Sequence, residues 1–89
     1  MSARVPSVLW FSKANDEWCA RAAAALRQQG GPLEVHLGLR GDPFPPVELV
    51  SDVDYLVSYL SPWIVPEGLL RRARVAAINF HPGPPEYPG

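Results

Sequence analysis

Eighty-nine residues leave room for one small domain, which buries roughly two-thirds of the surface of its unfolded chain. Apolar residues make up 47% of it and charged ones 19%, with a net charge of −1. This is a globular rather than a disordered composition, without the basic footprint that nucleic acid or an anionic membrane surface would require. One cysteine, Cys19, excludes an internal disulfide and fits a reducing compartment. The N-terminal residues lack the long apolar core of a secretory leader, and no apolar run approaches a membrane span, so a cytoplasmic protein is expected.

Hydrophobic pattern and punctuation predict a β-α-β-β-α-β order. Ser7 to Phe11 reads as a first strand. Asn15 is then the expected helix cap, with Asp16 and Glu17 in a first turn where negative charge suits the helix dipole. Trp18, Ala22, Ala25 and Leu26 recur at helical spacing as a buried stripe, and Gly30-Gly31-Pro32 ends the helix. In the next strand Leu33, Val35, Leu37 and Leu39 alternate with Glu34, His36 and Gly38. That alternation places His36 on the surface. Gly41 to Pro46 is a proline-rich loop, and Val47 to Asp52 is ambiguous, with one helical turn as an option.

Asp54 to Leu60 forms a third strand and Ser61-Pro62-Trp63-Ile64-Val65 a loop. Pro66 suits the first position of a short helix, Glu67 to Ala73, because its missing N–H has no helical partner there. Val75 to Phe80 is the last strand. The fold class is therefore α/β: a Rossmann-like open parallel sheet of about four strands with two main helices. The turn Ser12-Lys13-Ala14-Asn15 has no glycine, so a Gly-rich dinucleotide cradle is absent. Nothing in the sequence pairs with the last strand, so the sheet reads as incomplete, with a hydrophobic edge through which the chain could self-associate.

The chemistry is concentrated in Asn79-Phe80-His81-Pro82-Gly83-Pro84-Pro85-Glu86-Tyr87-Pro88-Gly89. Asn79 and His81, spaced i, i+2, point to one side at the carboxyl end of a strand, where open α/β sheets place their ligands. A histidine there can take a proton from an attacking amine, and an asparagine amide can donate to a developing oxyanion. The competing reading is that both only satisfy backbone groups at a strand end. Pro82 to Tyr87 is a rigid, donor-poor loop suited to shaping a substrate pocket. The same letters contain Pro84-Pro85-Glu86-Tyr87, a PPxY string of the kind that WW domains bind as a polyproline II helix.

Trp63 could offer a flat face to a heteroaromatic ligand or serve as an ordinary core tryptophan. Trp10 and Trp18 are assigned to the core. Asp52 and Asp54 lack a third ligand and are read as turn and strand-start residues rather than a metal site. Cys19 is read as a small buried apolar group, and Arg71, Arg72 and Arg74 as a solvated helix face.

From Asp54 to Gly89, including Ser61-Pro62-Trp63-Ile64-Val65-Pro66, Leu69-Leu70 and the terminal motif, the chain resembles the formyltransferases that use N10-formyltetrahydrofolate. The Asn-Phe-His-Pro-Gly-Pro-Pro-Glu-Tyr-Pro-Gly form is most similar to the sugar N-formyltransferases. The Ser-Leu-Leu-Pro string typical of the methionyl-tRNA enzymes after the histidine is absent. The resemblance implies that Asn79 and His81 are catalytic. Ser61, Pro62, Trp63, Ile64 and Val65 would line the folate pocket, and Pro82, Gly83, Pro84, Pro85, Glu86 and Tyr87 the substrate loop.

It also implies N10-formyltetrahydrofolate as formyl donor, no metal, and a small-molecule amine acceptor of the nucleotide-sugar class. The family's third catalytic residue, an aspartate further along, is not among these residues. Residues 1–89 are thus expected to be the N-terminal part of such a catalytic domain, inactive alone. Two alternatives stand beside this: a non-catalytic folate- or nucleotide-binding remnant, and an interaction protein using the PPxY tail.

Overall fold

The structure, a computed structural model, describes residues 5–49 and 52–80. The elements follow the order β1 (Val8–Lys13), α1 (Glu17–Gln28), β2 (Leu33–Gly38), β3 (Val53–Tyr59), α2 (Glu67–Leu70) and β4 (Ala73–Phe80). The four strands make one sheet in the order β2-β1-β3-β4, and every pairing is parallel. This is the α/β open sheet anticipated from the pattern. The central strands β1 and β3 are the most buried, as continuous apolar runs covered on both faces should be.

Register assigns each side chain to a face, because neighbours in a parallel ladder point the same way. Leu9 pairs with Glu34 and Leu56, and Phe11 with His36 and Ser58; Leu56 pairs in turn with Ala77, and Ser58 with Asn79. These residues form one face. Phe44, Val47, Leu49, Trp63, Val65 and Leu69 pack over its buried centre, Leu9, Phe11, Val53 and Leu56. The opposite face carries Val8, Trp10 and Ser12 with Val35, Val57 and Tyr59, and α1 packs there over β1 and β2.

Several local expectations are corrected. Asp16, not Asn15, caps α1: its Oδ1 accepts from the Cys19 N–H at 3.0 Å, and Asn15 is left-handed at φ 58°. The backbone hydrogen bond from Cys19 is the main reason that the Asp16 carboxyl titrates below its ordinary range. The stripe on α1 that meets the sheet is centred on Cys19 and Ala23, with Ala22 and Leu26 half-buried beside them. Trp18 lies one residue off that stripe, is 63% exposed and stacks under the Arg21 guanidinium. Cys19 and Trp10 are buried as expected.

Pro66 is the cap of α2 rather than its first helical residue, and the helix is one turn long. Strand β4 begins at Ala73, which takes Arg74 out of any helix and beside Asp54, its Nη2 donating to Oδ1 at 3.1 Å. Arg72 donates to the Leu49 carbonyl, and only Arg71, paired with Glu67, keeps the solvated role. Asp54 also accepts from the Ser7 N–H at 2.8 Å, so its strand-start role stands. Val47 to Leu49 carry no helical turn. No helix among the described residues is long and apolar enough to cross a membrane.

Candidate functional site

The loop between β3 and α2 is held from both sides. Ser61 is buried, and its Oγ accepts from the Trp63 N–H at 3.0 Å. The Trp63 indole N–H donates to the Asp42 carbonyl at 3.0 Å. That carbonyl is set by a turn in which Asp42 N–H donates to Leu39 O and the Asp42 carboxylate accepts from Leu39 N–H; Gly41 supplies its positive φ of 94°. The ring meets the edges of Phe11 and Phe44 and lies directly on Gly38. A Cβ there would sit 2.2 Å from the indole. The core reading of Trp63 therefore holds in part: one edge belongs to the core, and the residue also lines an open cleft.

That cleft, about 450 Å³, is bounded by Leu56, Ser58, Trp63, Ile64, Val65, Leu70, Ala77, Ile78 and Asn79. Its size falls in the range of small-molecule sites. Three of the five loop residues implicated by sequence, Trp63, Ile64 and Val65, reach it together with Asn79. Ser61 acts behind the wall by holding Trp63, and Pro62 is half-buried without lining the cleft. Ile64 is 94% exposed at the rim, an apolar side chain with nothing packed over it. Asn79 is exposed on β4. His81 and the loop Pro82 to Tyr87, including the PPxY string, lie outside the described residues.

His36 is not the surface histidine that strand alternation suggested. It is half-buried, stacks on Phe11 at 5.5 Å between centroids, and its Nε2 meets the Glu34 carboxylate. The same carboxylate accepts from Glu48 N–H at 2.9 Å and Leu49 N–H at 2.6 Å. Burial works to raise the Glu34 pKa, but hydrogen bonds from Glu48, His36 and Leu49 outweigh it and hold the carboxyl below its ordinary range. Glu34 thus ties down the segment whose Phe44 packs on Trp63 and Phe11. Alternation failed here because residues 42–49 cover this face with backbone and side chains instead of leaving it to solvent.

Sequence reasoning missed Ser58, Gly38 and Glu34 as contributors. Ser58 was findable: it is the one small polar residue in the run Tyr55 to Tyr59 of β3, and parallel register sets it beside Asn79. Gly38 and Glu34 carry no signal until the loop over them is placed. Among the described residues no group of three or more acidic, histidine or cysteine side chains could hold a metal ion. What the cleft offers is an indole face, aliphatic walls, one amide and one hydroxyl. Comparison with protein-family models, curated proteins and solved structures gives no match for the chain.

Proposed function

We propose that this chain carries the donor-binding part of a formyltransferase site, serving transfer from N10-formyltetrahydrofolate to the amine of a nucleotide-linked aminosugar. One observation supports it above the rest. Trp63 to Val65, in the loop after β3, and Asn79, on β4, assigned from the resemblance to donor binding and catalysis, line one cleft.

The donor supplies an activated formyl carbon attached to N10. A flat, largely uncharged heterocycle suits a cleft walled by Trp63, Leu56, Val65 and Leu70, where burial of apolar area provides affinity. Asn79 Nδ2 donates a hydrogen bond to the formyl oxygen as negative charge develops on it, an interaction stronger in the transition state than before it. His81 takes the proton from the attacking amine. The C–N10 bond then breaks, and the proton is delivered to the departing nitrogen. Ile64 and Trp63 exclude water from the cleft side.

The test is calorimetric titration of the folded chain with a stable N10-formyltetrahydrofolate analogue. Binding is expected, and Trp63→Ala is expected to abolish it while Trp18→Ala, on the far side of α1, leaves it intact. A folded chain that does not bind the analogue, or binding indifferent to Trp63, overturns the reading.

A further inference from the structure

Three of the described serines are buried: Ser12, Ser58 and Ser61. Ser12 Oγ donates to the Tyr59 carbonyl at 2.8 Å, and Ser61 Oγ accepts from Trp63 N–H at 3.0 Å. Ser58 is the exception. It is 7% exposed, yet its hydroxyl has no hydrogen-bond partner among the described residues, and the residue lines the cleft. The hydroxyl is nonetheless open to the cleft: the buried polar side-chain atom left without a partner among the described residues is Trp10 Nε1, not Ser58 Oγ.

The register gives this hydroxyl a polar companion. Ser58 and Asn79 are direct partners across β3 and β4, side by side on the same face at the strand spacing of about 4.8 Å. Of the nine residues bounding the cleft they are the two with uncommitted polar side chains; the remainder are apolar or, in Trp63, have the indole N–H bound to Asp42. Among the described residues no cationic side chain lines it. A hydroxyl and a carboxamide together present both donors and acceptors to one edge of a ligand.

We propose that Ser58 is a binding residue of this cleft and reads, with Asn79, the donor–acceptor edge of a neutral planar heterocycle such as a lactam. The cleft then discriminates against the apolar isostere, which leaves both groups unpaired, and against an anion, which finds no countercharge among the described residues. A site built to hydrogen-bond its ligand rejects an analogue lacking the polar edge far more strongly than an apolar pocket rejects a missing methylene. The assignment rests on the same cleft as the formyl-donor reading but goes beyond it, giving Asn79 the heterocycle edge as its partner in place of the formyl oxygen, and it stands or falls separately.

The experiment titrates quinolin-2(1H)-one, naphthalene and 2-naphthoate into the chain by two-dimensional NMR, alongside the N10-formyltetrahydrofolate analogue. The lactam is expected to bind more tightly than either other bicycle and to shift the Asn79 side-chain amide and the Trp63 indole N–H. Ser58→Ala is expected to weaken the lactam about tenfold, the equivalent of one hydrogen bond, with no change for naphthalene. Ser58→Thr, which keeps the hydroxyl and suits a strand, restores lactam affinity, so a folding defect in one variant does not decide the matter.

Equal affinity for lactam and naphthalene, or lactam binding unchanged in Ser58→Ala, overturns the assignment. Ser58-dependent lactam binding with no binding of the folate analogue upholds Ser58 and removes the formyl-donor reading. Folate binding that ignores Ser58 does the reverse.

Discussion

Gly38 is where the candidate site is easiest to break without touching it. It ends β2, and a Cβ built on it would lie 2.2 and 2.3 Å from Trp63 Cζ2 and Cη2 and 3.2 Å from Cε2. The indole can retreat only toward the open cleft, which gives up its edge contacts with Phe11 and Phe44 and its N–H bond to Asp42 O. In Gly38→Ala the ring must tilt away. Overpacking costs about 1–3 kcal/mol and the lost indole hydrogen bond about 1 kcal/mol. Reduced freedom of the unfolded chain returns about 0.5–1 kcal/mol. The net loss is about 2 kcal/mol.

Urea unfolding reads this directly. With a slope of about 1 kcal/mol per M for a domain this small, the midpoint of Gly38→Ala should fall by about 2 M. The control is Trp63→Leu, which removes the obstructing ring. Adding Gly38→Ala to it should cost less than about 0.5 kcal/mol, leaving a coupling energy of about 2 kcal/mol between the two positions. A Gly38→Ala midpoint within error of the parent refutes the reasoning, as does an equal drop in both backgrounds.

Further outcomes follow from the buried carboxylates and the sheet edge. Because the folded pKa of Glu34 is depressed, its contribution is fully present above the unfolded value and lost as pH falls through the folded one. Urea midpoints below about pH 4.5 should therefore decline more steeply in the parent than in Glu34→Gln. Asp54, whose side chain is 7% exposed, accepts from Ser7 and Arg74, so Asp54→Ala should cost about 2–3 kcal/mol in the same assay. Arg74 is half-exposed, and Arg74→Ala should cost less than about 1 kcal/mol. On β4 Val75, Ile78 and Phe80 are exposed; sedimentation should show concentration-dependent self-association that Val75→Lys reduces.

The parallel architecture was legible because its signals are local and repeated: apolar runs of strand length, a capped helix between two of them, and prolines and glycines between elements. On α1 the error was a one-residue error of phase. Placing the cap at Asn15 rather than Asp16 rotates the helix reading and brings Trp18 into the stripe, although the side chain lies in solvent under Arg21. The strand reading of β2 had the correct phase but the wrong assumption about what covers each face. Glu34 and His36 are internal because a segment without regular structure folds over them. No periodicity announces such a segment. At the site, Asn79 and Trp63 were visible as residue types in a motif, whereas Ser58 and Gly38 acquire their roles only from pairing and contact.

The position of the cleft has a physical cause. In an open sheet of order β2-β1-β3-β4 the chain turns to opposite sides after β1 and β3, and ligands usually occupy the crevice that opens between those two strand ends. Here that crevice is filled. Ser12 Oγ and Cys19 Sγ both reach the Tyr59 carbonyl, closing the helix side. On the other face Phe44 and Trp63 cover Phe11.

Open space therefore moves one strand over, to β3 and β4, where α2 is a single turn and covers too little to close the cleft, leaving Asn79 exposed and Ser58 lining it. A longer helix at α2 would bury more apolar surface and stabilise the sheet, at the cost of the cleft. The short helix and the unbonded Ser58 hydroxyl are thus two sides of one arrangement, a stretch of sheet left open where the chain presents its amide and its indole.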